Sequence, residues 1–267
     1  MKKYFSFFRL RLNTGLQYRM ATYVAAVTQF LWGFMKCLAF LAFYEADPAS
    51  FPMDFQAAVS YIWLQQAFFA MFTVWHTDND IFDMIVDGGI SYEMCRPVSI
   101  YHMWFARNIA DRIAEAGLRF APVLLLACLL PAPFKLGAPA GPTEFLLFVI
   151  TMFLGLCVTV AFTMWVYILA FFTISPQGLR MVFTALVEFL SGAIIPLPFL
   201  PEGIRKFLEF LPFAGMFNVP LRAYSRDLGG TELLRAMGLQ VFWIVVLAGS
   251  GILLCRLAER KVVVQGG

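Results

Sequence analysis

Long apolar runs separated by short charged segments dominate this chain of 267 residues. A membrane-spanning helix needs roughly 20 consecutive, mostly apolar residues. The runs Ala21–Tyr44, Phe55–Trp75 and Glu144–Phe172 meet that length, and the last is charge-free after its first residue. A fourth run, Met237–Cys255, leads into the basic tail RLAERK. Two further runs are irregular. Phe120–Leu130 is too short alone, so its helix must begin earlier, inside IADRIAEAGLR. Met181–Ile195 is apolar but falls short of a full span, then breaks at Pro196, Pro198 and Pro201 and resumes as a short amphipathic helix. Proline lacks a backbone donor and clashes with the preceding turn. Non-helical backbone at membrane depth persists only where protein or a water-filled cavity covers it. The pattern therefore predicts an all-α, polytopic integral membrane protein. It has six spans in one domain over residues 1–267, with a re-entrant or extracellular helical unit, 196–220, before the last span.

An even number of spans puts both termini on one side, and the basic residues say which. With the N-terminus inside, the inner segments carry thirteen of the twenty Lys and Arg, the outer segments six, and Lys36 lies within a span. An excess of Lys and Arg marks the cytoplasmic side, so both termini are expected in the cytoplasm. The first twenty residues interleave Tyr4, Phe7, Phe8, Leu10 and Leu12 with Arg9 and Arg11, and no acidic residue precedes Glu45. That is the pattern of a basic amphipathic helix lying on the inner leaflet. An ordinary basic flank is the simpler reading. No cleavable leader is evident, because the first apolar run is of span length and lacks a small-residue cleavage site. Spans one to three and four to six show no internal repeat, which disfavours an inverted-repeat secondary transporter.

Composition agrees with the pattern: 61% of residues are hydrophobic, 14% are charged, and mean hydropathy is +0.75. Soluble domains run near 45–50% apolar and about 25% charged. The five cysteines are scattered without a CxxC spacing or a Cys/His pairing, so neither a disulfide framework nor a metal site is expected. There is no GxxxxGK[ST] loop to cradle phosphates, no HExxH and no GxSxG elbow.

Candidate chemistry falls in two places. Between spans two and three lies a polar stretch, 76–103, in which Ile81, Met84 and Ile85 recur at i, i+3, i+4. Asp78, Asp80, Asp83 and Asp87 face elsewhere, and Gly88-Gly89 end the helix. A short exposed helix with an apolar stripe suits docking to a soluble partner; packing on its own bundle is the alternative. Downstream, Arg107, Asp111, Glu115 and Arg119 fall at successive i, i+4 steps, with Arg112 three before Glu115, so that opposite charges lie side by side on one helical face that nearly neutralises itself. That arrangement suits a long cytoplasmic helix entering span three rather than a catalytic carboxylate pair. Within the spans, Lys36 and Glu188 are ionisable and Gln65 and Gln66 polar. Such residues face a bundle interior or a cavity, so Lys36, Gln65 and Glu188 are candidates for a translocation path. A Lys36 that bonds a carbonyl, and a Glu188 that caps broken backbone, would be structural instead.

The six-span layout, the basic N-terminal helix and two segments resemble one family. The segments are DGGISYEMCRP and SGAIIPLPFLPEGIRKFLEFLPFAGMFNVPLRAY. The chain is similar over essentially its whole length to the permease subunits of type-two ATP-binding-cassette exporters. Within them it looks closest to a bacterial branch once grouped as a domain of unknown function. The resemblance implies a non-enzymatic subunit in a cell membrane, paired with a second copy or a related permease. It also implies two cytoplasmic ABC ATPase subunits that bind the ATP and Mg. This chain would hold no cofactor or metal and would meet membrane lipids but no nucleic acid. By the same resemblance Asp78–Gly89, with Asp80, Ile81, Asp83, Met84, Ile85, Asp87 and Gly88, would be an ATPase-coupling helix. Arg96 and Pro97 would fix the turn into the third helix. The Pro196–Phe213 unit, with Pro196, Pro198 and Pro201, would form an outer gate over a path at the permease dimer interface. Rival readings are an ion-coupled secondary transporter, for which only Glu188 offers an intramembrane carboxylate, and a non-transporting membrane scaffold.

Overall fold

The computed structural model describes residues 2–15, 19–74, 77–139, 141–173, 175–225 and 227–260. Trp75, His76 and Lys261, which enter the expectations above, lie outside the described residues. Thirteen α-helices and two 3-10 turns make up the described residues, with no strand among them. In chain order, α1 (Lys2–Gly15) precedes the long α2 (Arg19–Ala46), and α3 (Phe55–Ala67) and α4 (Phe69–Phe72) follow. Two short helices, α5 (Asn79–Val86) and α6 (Ile90–Met94), lead to α7 (Ile100–Leu129) and α8 (Pro142–Ala170). Then come α9 (Pro176–Leu190), α10 (Glu202–Phe210), α11 (Pro212–Met216), α12 (Asn218–Tyr224) and α13 (Gly230–Glu259).

The charge-free run α8 forms the axis of the bundle, packing on α13, α12, α11, α7 and α5. Its apolar window is 56% buried, against 17% for the window in α2 and 22% for that in α13. A helix apolar on all sides belongs in a core or a bilayer, and here α8 takes the core while α2 and α13 turn apolar faces outward. Val24, Val27, Leu31 and Met35 on α2, and Val245, Leu253 and Leu257 on α13, are among the exposed side chains. Close approach to α8 depends on Gly155. A β-carbon there would stand 2.8 Å from the Met216 carbonyl oxygen and 3.0 Å from that of Gly215. The basic helix α1 packs along α7, and the Tyr4 hydroxyl accepts the Ser99 N–H at 3.2 Å.

Among the described residues, three helices are long and apolar enough to cross a membrane: Tyr23–Ala46 within α2, Pro142–Ala170 and Gly230–Glu259. The other three expected spans take different forms. The run Phe55–Trp75 is not one helix but α3 and α4, parted at Phe68. The third helix begins at Ile100, well before the IADRIAEAGLR segment in which its start was expected, and carries five charges in its first two-thirds. The fifth run is helical only to Leu190. Its stop precedes the three prolines, because Ser191 caps the helix and Gly192, at φ +83°, takes the left-handed position after it.

Candidate functional site

Two buried polar clusters sit at opposite ends of the bundle. The first surrounds the break after α9. Ending the helix at Ser191 leaves the carbonyls of Gly192 and Ala193 without intrahelical partners, and both residues are buried. Side chains from α2 and α3 take them. Lys36 Nζ donates to the Ala193 carbonyl at 2.9 Å and to Gln65 Oε1 at 2.9 Å. Gln65 Nε2 donates to Ala193 at 2.8 Å and to Gly192 at 3.4 Å, and the Tyr61 hydroxyl donates to Gly192 at 3.4 Å. An ammonium at the C-terminal end of α9 also meets the negative end of its dipole. Glu188 lies near enough to act on Lys36 electrostatically. Lys36, Gln65 and Glu188 thus converge on the break. Pro196 and Pro198 are buried in the 3-10 turn beyond it, whereas Pro201 is exposed at the start of α10. Phe199 fixes that turn to the C-terminal end of α2, edge-on to Phe40 and to Phe51 with 4.9 Å between ring centroids in each case.

The second cluster surrounds α5. Asp78 caps the helix by accepting the Asp80 N–H at 3.0 Å, and Gly88 at φ +75° follows the C-cap Asp87. The buried Arg107 of α7 pairs with Asp78, and with Asp80 at 2.8 Å. Burial pushes the Asp78 carboxyl above its ordinary value, against the opposing pull of the Arg107 guanidinium. The Tyr167 hydroxyl of α8 accepts the Asp78 N–H at 2.7 Å, and Arg180 of α9 donates to Asn79 at 2.7 Å. Ile81 is fully buried and Phe82 nearly so, with the Phe82 ring 5.1 Å from that of Tyr167. The stripe read as a docking face therefore points into the bundle: Ile81 is covered, and Met84 and Ile85 pack half-buried against the core. What α5 and α6 leave in the open is the other side. Asp83, Val86, Asp87 and Gly88 are exposed, and Tyr92 and Met94 continue the surface. Arg96 pairs with Glu93 at 3.1 Å, and the Val98 N–H closes a three-residue turn about Pro97 by bonding Arg96 O at 2.8 Å. α7 begins directly after it.

One residue central to this cluster was expected only as part of the self-neutralising charged face of this helix. Arg112 is 1% exposed. It donates to Asn108 Oδ1 at 2.6 Å, to Thr163 Oγ1 at 3.2 Å, and to the carbonyls of Thr73 and Met71 at 2.7 and 3.2 Å. It so caps the end of α4, whose last carbonyls have no helix to continue into. Asn108 donates to Tyr167 at 3.2 Å, which joins Arg112 to the N-terminus of α5. The usable signal was Asn108 and Arg112 at i, i+4 beside Trp104, a polar pair on the apolar side of α7. The opposite charges expected to neutralise one another do so in part: Arg119 pairs with Glu115, while Arg107 stands 4.0 Å from Asp111 and spends its closer contacts on α5 and its cap.

No curated protein matches the chain. A family model does, that of the ABC-2 family transporter protein, over residues 30–261. The match takes in both clusters, α2 with Lys36, the α5–α6 segment and the broken unit after α9. The chain belongs to the ABC-2 family of transporter membrane proteins.

Proposed function

We propose that this chain is the transmembrane permease subunit of an ABC exporter, driven by ATP hydrolysis on separate ATPase subunits that dock on α5 and α6. Membership of the ABC-2 family across residues 30–261 is the observation that carries this reading. The docking surface is the exposed rim formed by Asp83, Val86, Asp87, Gly88 and Tyr92, with Arg96 and Pro97 at its edge, rather than the Ile81 stripe. Rigid attachment suits that role. Arg107, Tyr167 and Arg180 grip the first turn of α5, so a push on the rim moves α7, α8 and α9 together instead of bending a loop. In this reading both termini and α5 face the cytoplasm, α3–α4, α7 and α9 complete six spans of the cell membrane, and two permease chains meet around the path. The 196–213 unit closes its outer end, and Lys36, Gln65 and Glu188 hold the hinge of that gate.

The test is affinity purification from the native membrane, with the co-purifying proteins identified by mass spectrometry. Wild type is expected to carry an ABC ATPase. Val86→Asp and Tyr92→Asp, on exposed positions, should lose it while remaining monodisperse. Ile81→Asp should instead fail to fold, because it puts a carboxylate into a sealed apolar site. A well-folded wild type without an ATPase would overturn the transporter reading, and an unaffected Val86→Asp/Tyr92→Asp protein would overturn the docking surface.

A further inference from the structure

The loop before α7 and the last turns of α13 enclose a pocket of about 340 Å³ that neither polar cluster uses. That is the lower end of the range for small-molecule sites. Its wall carries Val98, Ser99, Tyr101, His102, Arg256 and Glu259. Arg256 and Glu259 lie one turn apart on α13, yet no ion pair within 4.0 Å joins them, and Arg256 has no anionic partner among the described residues. Glu259 accepts a hydrogen bond from the Cys255 thiol, 3.6 Å away. Tyr101 is 4% exposed, and its hydroxyl, set against Gly251, has no hydrogen-bond partner among the described residues. His102 Nδ1 stands 2.9 Å from Ser99 Oγ. The pocket thus offers one cation, one anion, an imidazole paired with the Ser99 hydroxyl, and the Tyr101 hydroxyl.

Its depth narrows the ligand. The site lies where a 30-residue apolar helix ends in Arg256 and Arg260. It is beside α1, whose Tyr4 ring is 6.2 Å from that of His102. A helix end of this kind sits at the headgroup level of a bilayer. On the flank of α13, Leu253 and Leu257 are exposed, an apolar track for acyl chains. We propose that this pocket binds the headgroup of a phosphatidylethanolamine from the adjacent leaflet. Arg256, with His102 and Ser99, takes the phosphate, and Glu259 takes the primary ammonium. A purely anionic headgroup leaves Glu259 opposed, and a trimethylated ammonium cannot donate hydrogen bonds to it. The inference needs only the membrane location and not the transport reading.

Native mass spectrometry of the delipidated full-length protein, titrated with dioleoyl phosphatidylethanolamine, phosphatidylglycerol and phosphatidylcholine, tests it. Wild type should bind one phosphatidylethanolamine about tenfold more tightly than either other lipid, the ratio of roughly one charged hydrogen bond. Glu259→Gln should erase that preference while retaining phosphate binding. Arg256→Gln should weaken all three lipids about tenfold or more, and Val98→Trp, filling the pocket, should remove the tight site. Melting temperatures of each variant check folding, and the wild-type lipid series decides alone for any variant that fails to fold. Equal binding of the three lipids by wild type, a preference for phosphatidylglycerol, or an unchanged preference in folded variants would each overturn the proposal.

Discussion

Replacing Arg112 with methionine measures what the buried cap on α4 contributes. The substitution keeps an unbranched apolar stem but removes donors to the Thr73 and Met71 carbonyls, Asn108 Oδ1 and Thr163 Oγ1. Each buried acceptor left unsatisfied costs about 1–3 kcal/mol. Thr163 retains its own bond to the Thr159 carbonyl at 2.8 Å, so three acceptors lose their partner outright. Opposing this, the guanidinium no longer has to be held away from water, a cost of several kcal/mol per ion that strong geometry offsets only in part. A net loss of about 3 kcal/mol follows. It corresponds to a fall of about 6–12 °C in melting temperature for a chain of this size. With the exposed thiols removed as Cys95→Ser and Cys128→Ser, a thiol-reactive dye reads the melt through the buried Cys37 and Cys255. Arg112→Lys, which keeps the charge but not the fork of donors, should fall between the two. Lys206→Ala, in an ion pair whose side chains are 67% and 69% exposed, should melt with wild type and serves as the control. A melting temperature for Arg112→Met within about 2 °C of wild type would refute the cap as a source of stability.

Three further outcomes check the packing around the two clusters. Gly192→Ala places a β-carbon at φ +83° and 3.3 Å from both Leu197 and the Tyr61 hydroxyl. It should cost about 1–2 kcal/mol, whereas Gly203→Ala, with nothing within 4 Å, should be neutral by the same melt. Gly155→Val should abolish the monodisperse peak on size exclusion, since α8 would have to leave the α11 carbonyls. Gly117→Val, with open space around its α-carbon, should keep that peak. Lys36→Met removes two of the bonds holding the break after α9. Hydrogen exchange at residues 192–195 should accelerate about tenfold or more, with α8 unchanged; equal exchange would show that Gln65 and Tyr61 suffice.

What could be read from the sequence was local. The bounds of α5 were legible to within a residue or two because Asp78 and Gly88 are cap signals carried by the segment itself. Its direction was not legible. A stripe at i, i+3, i+4 shows that one face is apolar, but not whether a partner or the chain's own α8 covers it, and here α8 covers Ile81. The break at Phe68 left no mark, because residues 55–75 contain neither glycine nor proline. The guanidinium of Arg112 reaches from α7 to the far end of α4, at Met71 and Thr73, and not to Phe68 itself. The end of α9 shows the converse. Three prolines advertised a break, yet the turn is made four residues earlier, at the one residue that tolerates a left-handed backbone.

Two buried helix ends, those of α9 and α4, follow one rule. Carbonyls released where a helix stops inside the bundle are taken by a long cation from another helix, Lys36 for α9 and Arg112 for α4. A leucine at either position would leave acceptors facing apolar side chains, and a short polar residue would not reach them. The rule also explains why these two charges sit in otherwise apolar helix faces, where an ion without partners is costly. It ties the two clusters together as well, since α3 carries Gln65 and Tyr61 toward the end of α9 and the end of α4 presents the Thr73 carbonyl to Arg112. Movement of α7 that shifts Arg112 must therefore either drag the end of α4 or strip it of its cap. The first keeps every buried acceptor satisfied, and so the helix pair moves with α7 as one body.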